Sequence, residues 1–164
     1  MPPDPDLRLR LAAAQADLLA SLLDGSEPPA GFDGERISAT GLGLAAKRRR
    51  SVGHAWPALA AGLGAEFVLR FGDFSRGHPQ REGASALEDG LVFADWLAQR
   101  GRLPLGGRLE RCGVHLRYRL RGGHLQPRNG IAMRLCHLGP WDWLLALRLP
   151  GGREFWWRRS RPRP

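Results

Sequence analysis

Lysine is almost missing from this chain, with Lys47 the only one among 25 basic side chains. Arginine carries the positive charge instead, and its planar fork grips carboxylate or phosphate through two bonds and stacks on aromatic rings. A GC-rich coding sequence gives the same bias, so arginine identity alone says little. Cysteine is scarce too. Cys112 and Cys136 are the only two, too few for a disulfide framework and without the CxxC spacing of a zinc ribbon or a thioredoxin-like site. Reduced, buried thiols are expected. No apolar run approaches the roughly 18 residues needed to span a bilayer. The acidic, proline-rich opening Met1 to Asp6 lacks the basic and apolar regions of a secretory signal. A cytoplasmic protein with no membrane contact is expected.

Motifs of chemistry are equally sparse. None of the serines sits in a GxSxG elbow, and the five histidines form neither HExxH nor an i, i+4 pair. Gly41-Leu42-Gly43 and Gly62-Leu63-Gly64 follow helical sequence, so neither cradles a phosphate. A zinc site from Cys112, His115, Cys136 and His137 fails on strand alternation, which points positions 112 and 115 to opposite faces. The expectation is no catalytic residue, no metal and no cofactor: a protein that is not an enzyme.

What is present is a globular composition, 164 residues with 43% hydrophobic and 25% charged side chains. The formal charge of +9 is unevenly placed. Residues 1–102 hold 12 basic and 13 acidic side chains, whereas residues 103–164 hold 13 and 3. Nucleic acid is therefore a possible partner through the C-terminal part.

Leu7, Leu11, Ala14, Leu18 and Leu22 step by three and four and predict an amphipathic helix over 7–24, capped by Asp4 or Asp6 and ended by Gly25. Asp33 caps a second from Gly34 to about Ala55, with Ile37, Leu44 and Val52 inward. Pro57 opens a short third helix. Phe67, Phe71 and Phe74 mark a fourth, whose aromatic stripe reads as core. Asp89 caps a fifth carrying Leu91, Phe93, Trp96 and Leu97. The run Lys47-Arg48-Arg49-Arg50 reads as a solvated helix face.

The period then changes from 3.6 to 2. Cys112, Val114, Leu116, Tyr118 and Leu120 alternate with Arg111, His115, Arg117, Arg119 and Arg121, predicting a strand over 111–121 with a core face and an arginine ladder. Gly122-Gly123 turns the chain. Ile131 to Leu138 reads as a second strand, and Trp143, Leu145, Leu147 and Leu149 alternate through a third. Pro150 to Arg153 then makes a hairpin into Glu154 to Arg158. The expected fold is α+β: a helical module of about five helices over 1–105, a small antiparallel sheet of about four strands over 106–159, and a disordered basic tail over 160–164. Trp156 and Trp157 point to opposite faces, so one shows its ring to solvent or a partner. Trp143 reads as core filling.

The order Pro29-Ala30-Gly31-Phe32-Asp33, Leu44 with Lys47-Arg48, Trp56-Pro57, Phe71 to Pro79, then Asp89-Gly90 with Phe93 to Leu97 resembles a domain fused C-terminally to some multinuclear non-haem iron oxidative enzymes. Those enzymes modify ribosomally made peptides. The likeness extends more loosely to their stand-alone partner proteins, some named as DNA-binding. It covers roughly residues 7–105 well and the β part weakly. Phe32, Trp56 and Phe93 are expected to fill the core. The chain lacks the clustered His, Asp and Glu of an iron barrel, so no iron site carries over. The resemblance implies a protein or peptide partner, either such an oxidase or its precursor peptide. Expected binding residues are Arg117, Arg119, Arg121, Trp156, Trp157 and Arg158, acting by strand addition at a sheet edge; the alternative is nucleic acid gripped by the same arginines.

Overall fold

A computed structural model describes residues 5–24, 29–139 and 142–160. Among these residues the architecture is mixed α+β, with six helices followed by two small antiparallel sheets. Two compact units emerge: the chain up to Ser51 with Val68–Glu82, and Val52–Phe67 with everything from Gly83 onward.

The first unit holds α1 (Pro5–Asp24), most of α2 (Gly34–Ala55) and most of α4 (Glu66–Gly77). Asp33 caps α2 as expected, its Oδ1 accepting from the amides of Glu35 and Arg36. Gly41 sits where a Cβ would lie 2.9 Å from the Leu22 carbonyl oxygen, so glycine lets α2 approach α1 backbone to backbone. Arg48 is half-buried over the rings of Phe71 and Phe74, 5.5 Å from each centroid. Much of the expected core stripe is exposed: Leu7, Leu11 and Leu44 face solvent, and so does Phe32. The Asp4 and Gly25 helix signals lie outside the described residues.

In the second unit, α3 (Pro57–Leu63) packs on α6 (Leu105–Arg117), and the N-terminus of α3 is closed by Glu110 of α6. Its two carboxylate oxygens accept from the amides of Ala58 and Leu59 at 2.8 and 2.7 Å. The fifth helix, α5 (Ala86–Gln99), is capped by Ser85 rather than Asp89. Ser85 and Glu88 form a reciprocal capping box. Asp89 instead lies buried in the first turn. Gly90 faces the indole of Trp56, which is buried and donates from Nε1 to the Leu87 carbonyl at 3.1 Å.

The largest correction concerns residues 111–117, expected as strand and found as the end of α6. The alternation there is equally a helical pattern, since Cys112 and Leu116 are four apart and share one face. Helix α6 is buried on two sides: Gly106 and Gly107 lie against Ala58 and Leu59, while Cys112 and Leu116 join the sheet core of Ala132, Leu138, Leu144 and Ala146. So broad an apolar arc hides its period. A strand begins only at Tyr118, with β1 (Tyr118–Arg121) paired to β2 (His124–Pro127) through the expected Gly122-Gly123 turn.

The second sheet has the order β3 (Ala132–Gly139), β4 (Asp142–Arg148), β5 (Glu154–Ser160), antiparallel throughout. The hairpin from β4 to β5 falls where expected. Ser160, expected in the tail, is paired with Asp142; residues 161–164 lie outside the described set. The thiols are not reduced. Cys112 and Cys136 form a disulfide across 24 residues, tying α6 to β3, with Cα atoms 6.5 Å apart. The bond uses both sulfurs that the rejected zinc site would have needed.

Candidate functional site

The six residues expected to bind do not form one ladder. Arg117 ends α6 and makes a two-pronged ion pair with Glu154 of β5, both contacts 2.8 Å. Glu154 also accepts from Arg148 at 2.9 Å. Its hydrogen bond from Arg117 holds its carboxyl below the usual range, against an opposing effect of burial. Arg158 forks onto Asp142 in the same way, which lowers the Asp142 carboxyl. Two arginines expected to face a partner are thus engaged internally. Arg119 and Arg121 remain exposed on β1 without partners among the described residues.

The three acids of residues 103–164 are all spent within the fold: Glu110 on α3, Asp142 on Arg158, and Glu154 on Arg117 and Arg148. Arg111 is matched by Asp95 from outside this stretch, whereas Arg119, Arg121 and Arg134 have no acidic partner among the described residues.

Trp156 and Trp157 part as alternation requires, yet both show surface, at 39% and 51%. Trp156 faces α6, near Gly113. With Arg117 it lines a cavity of about 480 Å³, whose other walls include Trp56, Tyr118, Leu109 and Val114. The partly exposed rings of Tyr118 and Trp156 and the oriented Arg117 guanidinium, with the fully buried Trp56 behind them, suit an apolar or aromatic side chain with a polar end. The cavity adjoins β5, an edge strand exposed along nearly its whole length.

Trp157 belongs to the other face of the sheet. There Met133 and Leu135 of β3, Trp143 of β4 and Phe155 of β5 are exposed, and Phe155 stacks on Trp157 at 5.9 Å. Trp143, expected inside, is on this uncovered face, while Leu144 and Ala146 take the core positions. Alternation pointed to the set of Trp143, Leu145 and Leu147, but both faces of β4 are apolar and α6 covers the one bearing Leu144 and Ala146.

Glu88 was not singled out from the sequence. It is buried and, besides the capping box, accepts from the Leu125 amide of β2 at 2.6 Å, fastening the β1–β2 hairpin to α5. Burial pushes its carboxyl up, but bonds from Leu125 and Ser85 prevail and hold it below its ordinary value. A Ser-x-x-Glu box was the available signal.

Among known proteins, a UPF0276 protein of Streptomyces avermitilis is 41% identical to this chain over 101 residues. That stretch is 62% of this chain but 20% of the relative, so the chain matches about a fifth of its length. No solved structure matches. The family described as SCO6045-like, C-terminal domain matches residues 12–99, from α1 through α5 and short of the β-sheets. That match covers more than half of the chain, which therefore belongs to the family of SCO6045-like C-terminal domains.

Proposed function

We propose that this protein is a non-catalytic recognition module of peptide-modifying biosynthesis, binding a precursor peptide or the oxidative enzyme that acts on it. The observation that carries this reading is the aromatic cavity of Trp56, Tyr118 and Trp156 beside the open edge of β5. An extended segment can pair with that edge through main-chain bonds while one of its side chains enters the cavity. The arginines left without acids favour an acidic segment. The uncovered face of Met133, Leu135, Trp143 and Trp157 supports a protein partner over a nucleic acid, since apolar patches mark protein contacts. Cytoplasmic location is part of the proposal. Trapping free thiols at cell lysis checks it, because a Cys112–Cys136 bond already oxidised in the cell points to an oxidising compartment.

Pull-down with the full chain against products of neighbouring genes, followed by titration of any captured peptide, tests the reading. Trp156→Ala should weaken binding by about 2 kcal/mol or more if the cavity is the anchor. Capture of no peptide or oxidative enzyme, or equal affinity for the variant, overturns it. Nucleic acid is a second reading, favoured by exposed Arg119 and Arg121. It requires binding that falls by orders of magnitude between low and moderate salt, and loss of that binding in Arg119→Thr/Arg121→Thr.

A further inference from the structure

A separate cavity of about 420 Å³ is lined by Arg108, Arg111 and His115 of α6, Arg134 of β3, and both half-cystines. Residues 134 to 137 all reach it. Successive strand side chains alternate between faces, so four consecutive residues line one cavity only along the strand's edge. The edge in question is the free edge of β3. Two imidazoles line the cavity, His115 of α6 and His137, whose ring packs against Trp143 at 4.6 Å.

Charge in this cavity is one-sided. Among the described residues no carboxylate lines it. Asp95 stands behind Arg111, its Oδ1 2.6 Å from Nε, yet both buried atoms lack an aligned hydrogen bond. Arg108 donates from Nε to the Leu103 carbonyl at 3.1 Å and from Nη1 to the Leu138 carbonyl at 2.8 Å. Those neutral acceptors fix the guanidinium without cancelling its charge. Arg134 has no partner among the described residues. A fixed Arg108 and an exposed, unpaired Arg134 on one space give it a positive field that favours an anion. The volume falls within the roughly 300–1,000 Å³ of small-molecule sites.

We propose that this cavity binds a small organic oxyanion, a carboxylate or a phosphate ester, received by Arg134 and Arg108 with His115 beside it. The site is independent of the aromatic cavity and shares none of its residues. Around His115, burial first, then Arg134 and Arg111, keep the ring neutral; Asp95 opposes them and Arg128 adds to the depression. A bound oxyanion reverses that balance and favours the imidazolium. Affinity therefore rises as pH falls through the His115 pKa of the complex and levels off below that of the free protein.

Titration of the full chain with inorganic phosphate in one arm and citrate in the other, followed by the His115 ring resonances, tests this against sodium chloride at matched ionic strength. The expected result is a saturable shift with a midpoint of about 1 mM or tighter, with His115 titrating at higher pH when loaded. Saturation by phosphate with citrate silent assigns a phosphate ester, and the reverse a carboxylate. Arg134→Ser, a substitution at an exposed position, should weaken binding about tenfold, whereas Arg76→Ser on α4 should not. The proposal is overturned if chloride reproduces the shift, if neither anion saturates, or if Arg134→Ser binds as tightly as the parent.

Discussion

The two compact units dispose of their apolar side chains in opposite ways. The second buries Trp56, Leu59, Phe93, Leu97, Leu103 and Leu116 and adds a disulfide, a capping box and a carboxylate-closed helix. The first leaves Leu9 and Leu42 about 70% exposed, and among its described residues only Phe71, Phe74 and Ser21 are buried. Helices of similar length and pattern thus draw on different supports. In the first unit local propensity and a cap act with little burial; in the second, long-range packing dominates. An amphipathic stripe specifies a helix without guaranteeing that its apolar face finds a cover.

The sharpest way to break this contrast is to hollow the packed unit. Phe93→Ala, at a site with no exposure, should cost about 3–5 kcal/mol, read as a lowered urea midpoint. Breaking the staple comes next. Cys112→Ala/Cys136→Ala should cost about 3–4 kcal/mol by release of the loop it closes. Amide exchange should then accelerate in α6 and β3 and stay unchanged in α1; equal acceleration in both units would dissolve the distinction.

Glu88→Gln should cost about 1–3 kcal/mol, because it weakens bonds from three donors to a buried carboxylate. It also tests the pH dependence. The folded Glu88 carboxyl titrates below its ordinary value, so its stabilisation is present above the normal glutamate range and lost as pH falls through the depressed folded pKa. A thermal-midpoint profile of the variant should be flatter on the acid side than the parent's.

Arg117→Thr should cost about 0.5–1 kcal/mol, since its partner Glu154 is largely buried but retains Arg148. Arg119→Thr/Arg121→Thr should stay within about 0.5 kcal/mol. Smallest of all, Leu9→Ser should leave the midpoint unchanged within about 0.5 kcal/mol, and a larger loss would show that α1 has a cover.

Elements whose signals are local were readable from the chain. Asp33, Pro57 and the Gly122-Gly123 and Pro150 to Arg153 turns each act on their own neighbours, and the elements beside them appear where those residues place them. Signals that depend on distant partners were not. The reading of Arg111–Arg117 as strand failed because α3 and the sheet cover α6 from two sides. Gly41 and Gly90 carry no sequence sign of their roles, yet each admits a neighbour, the Leu22 carbonyl or the Trp56 ring. Of the expected site, Trp156 and Arg117 do meet in one cavity, but the Arg117–Glu154 and Arg158–Asp142 pairs join residues 37 and 16 apart that no spacing rule connects.

The Cys112–Cys136 bond also closes a covalent ring, and the β1–β2 hairpin lies wholly inside it. A protease that cuts at Gly122-Gly123 therefore releases nothing: the two fragments stay one molecule until a reductant opens the ring. Migration of the nicked protein with and without reductant reads this directly. The same topology makes the hairpin tip a place where a foreign segment can be inserted while both flanks remain chemically anchored to α6 and β3.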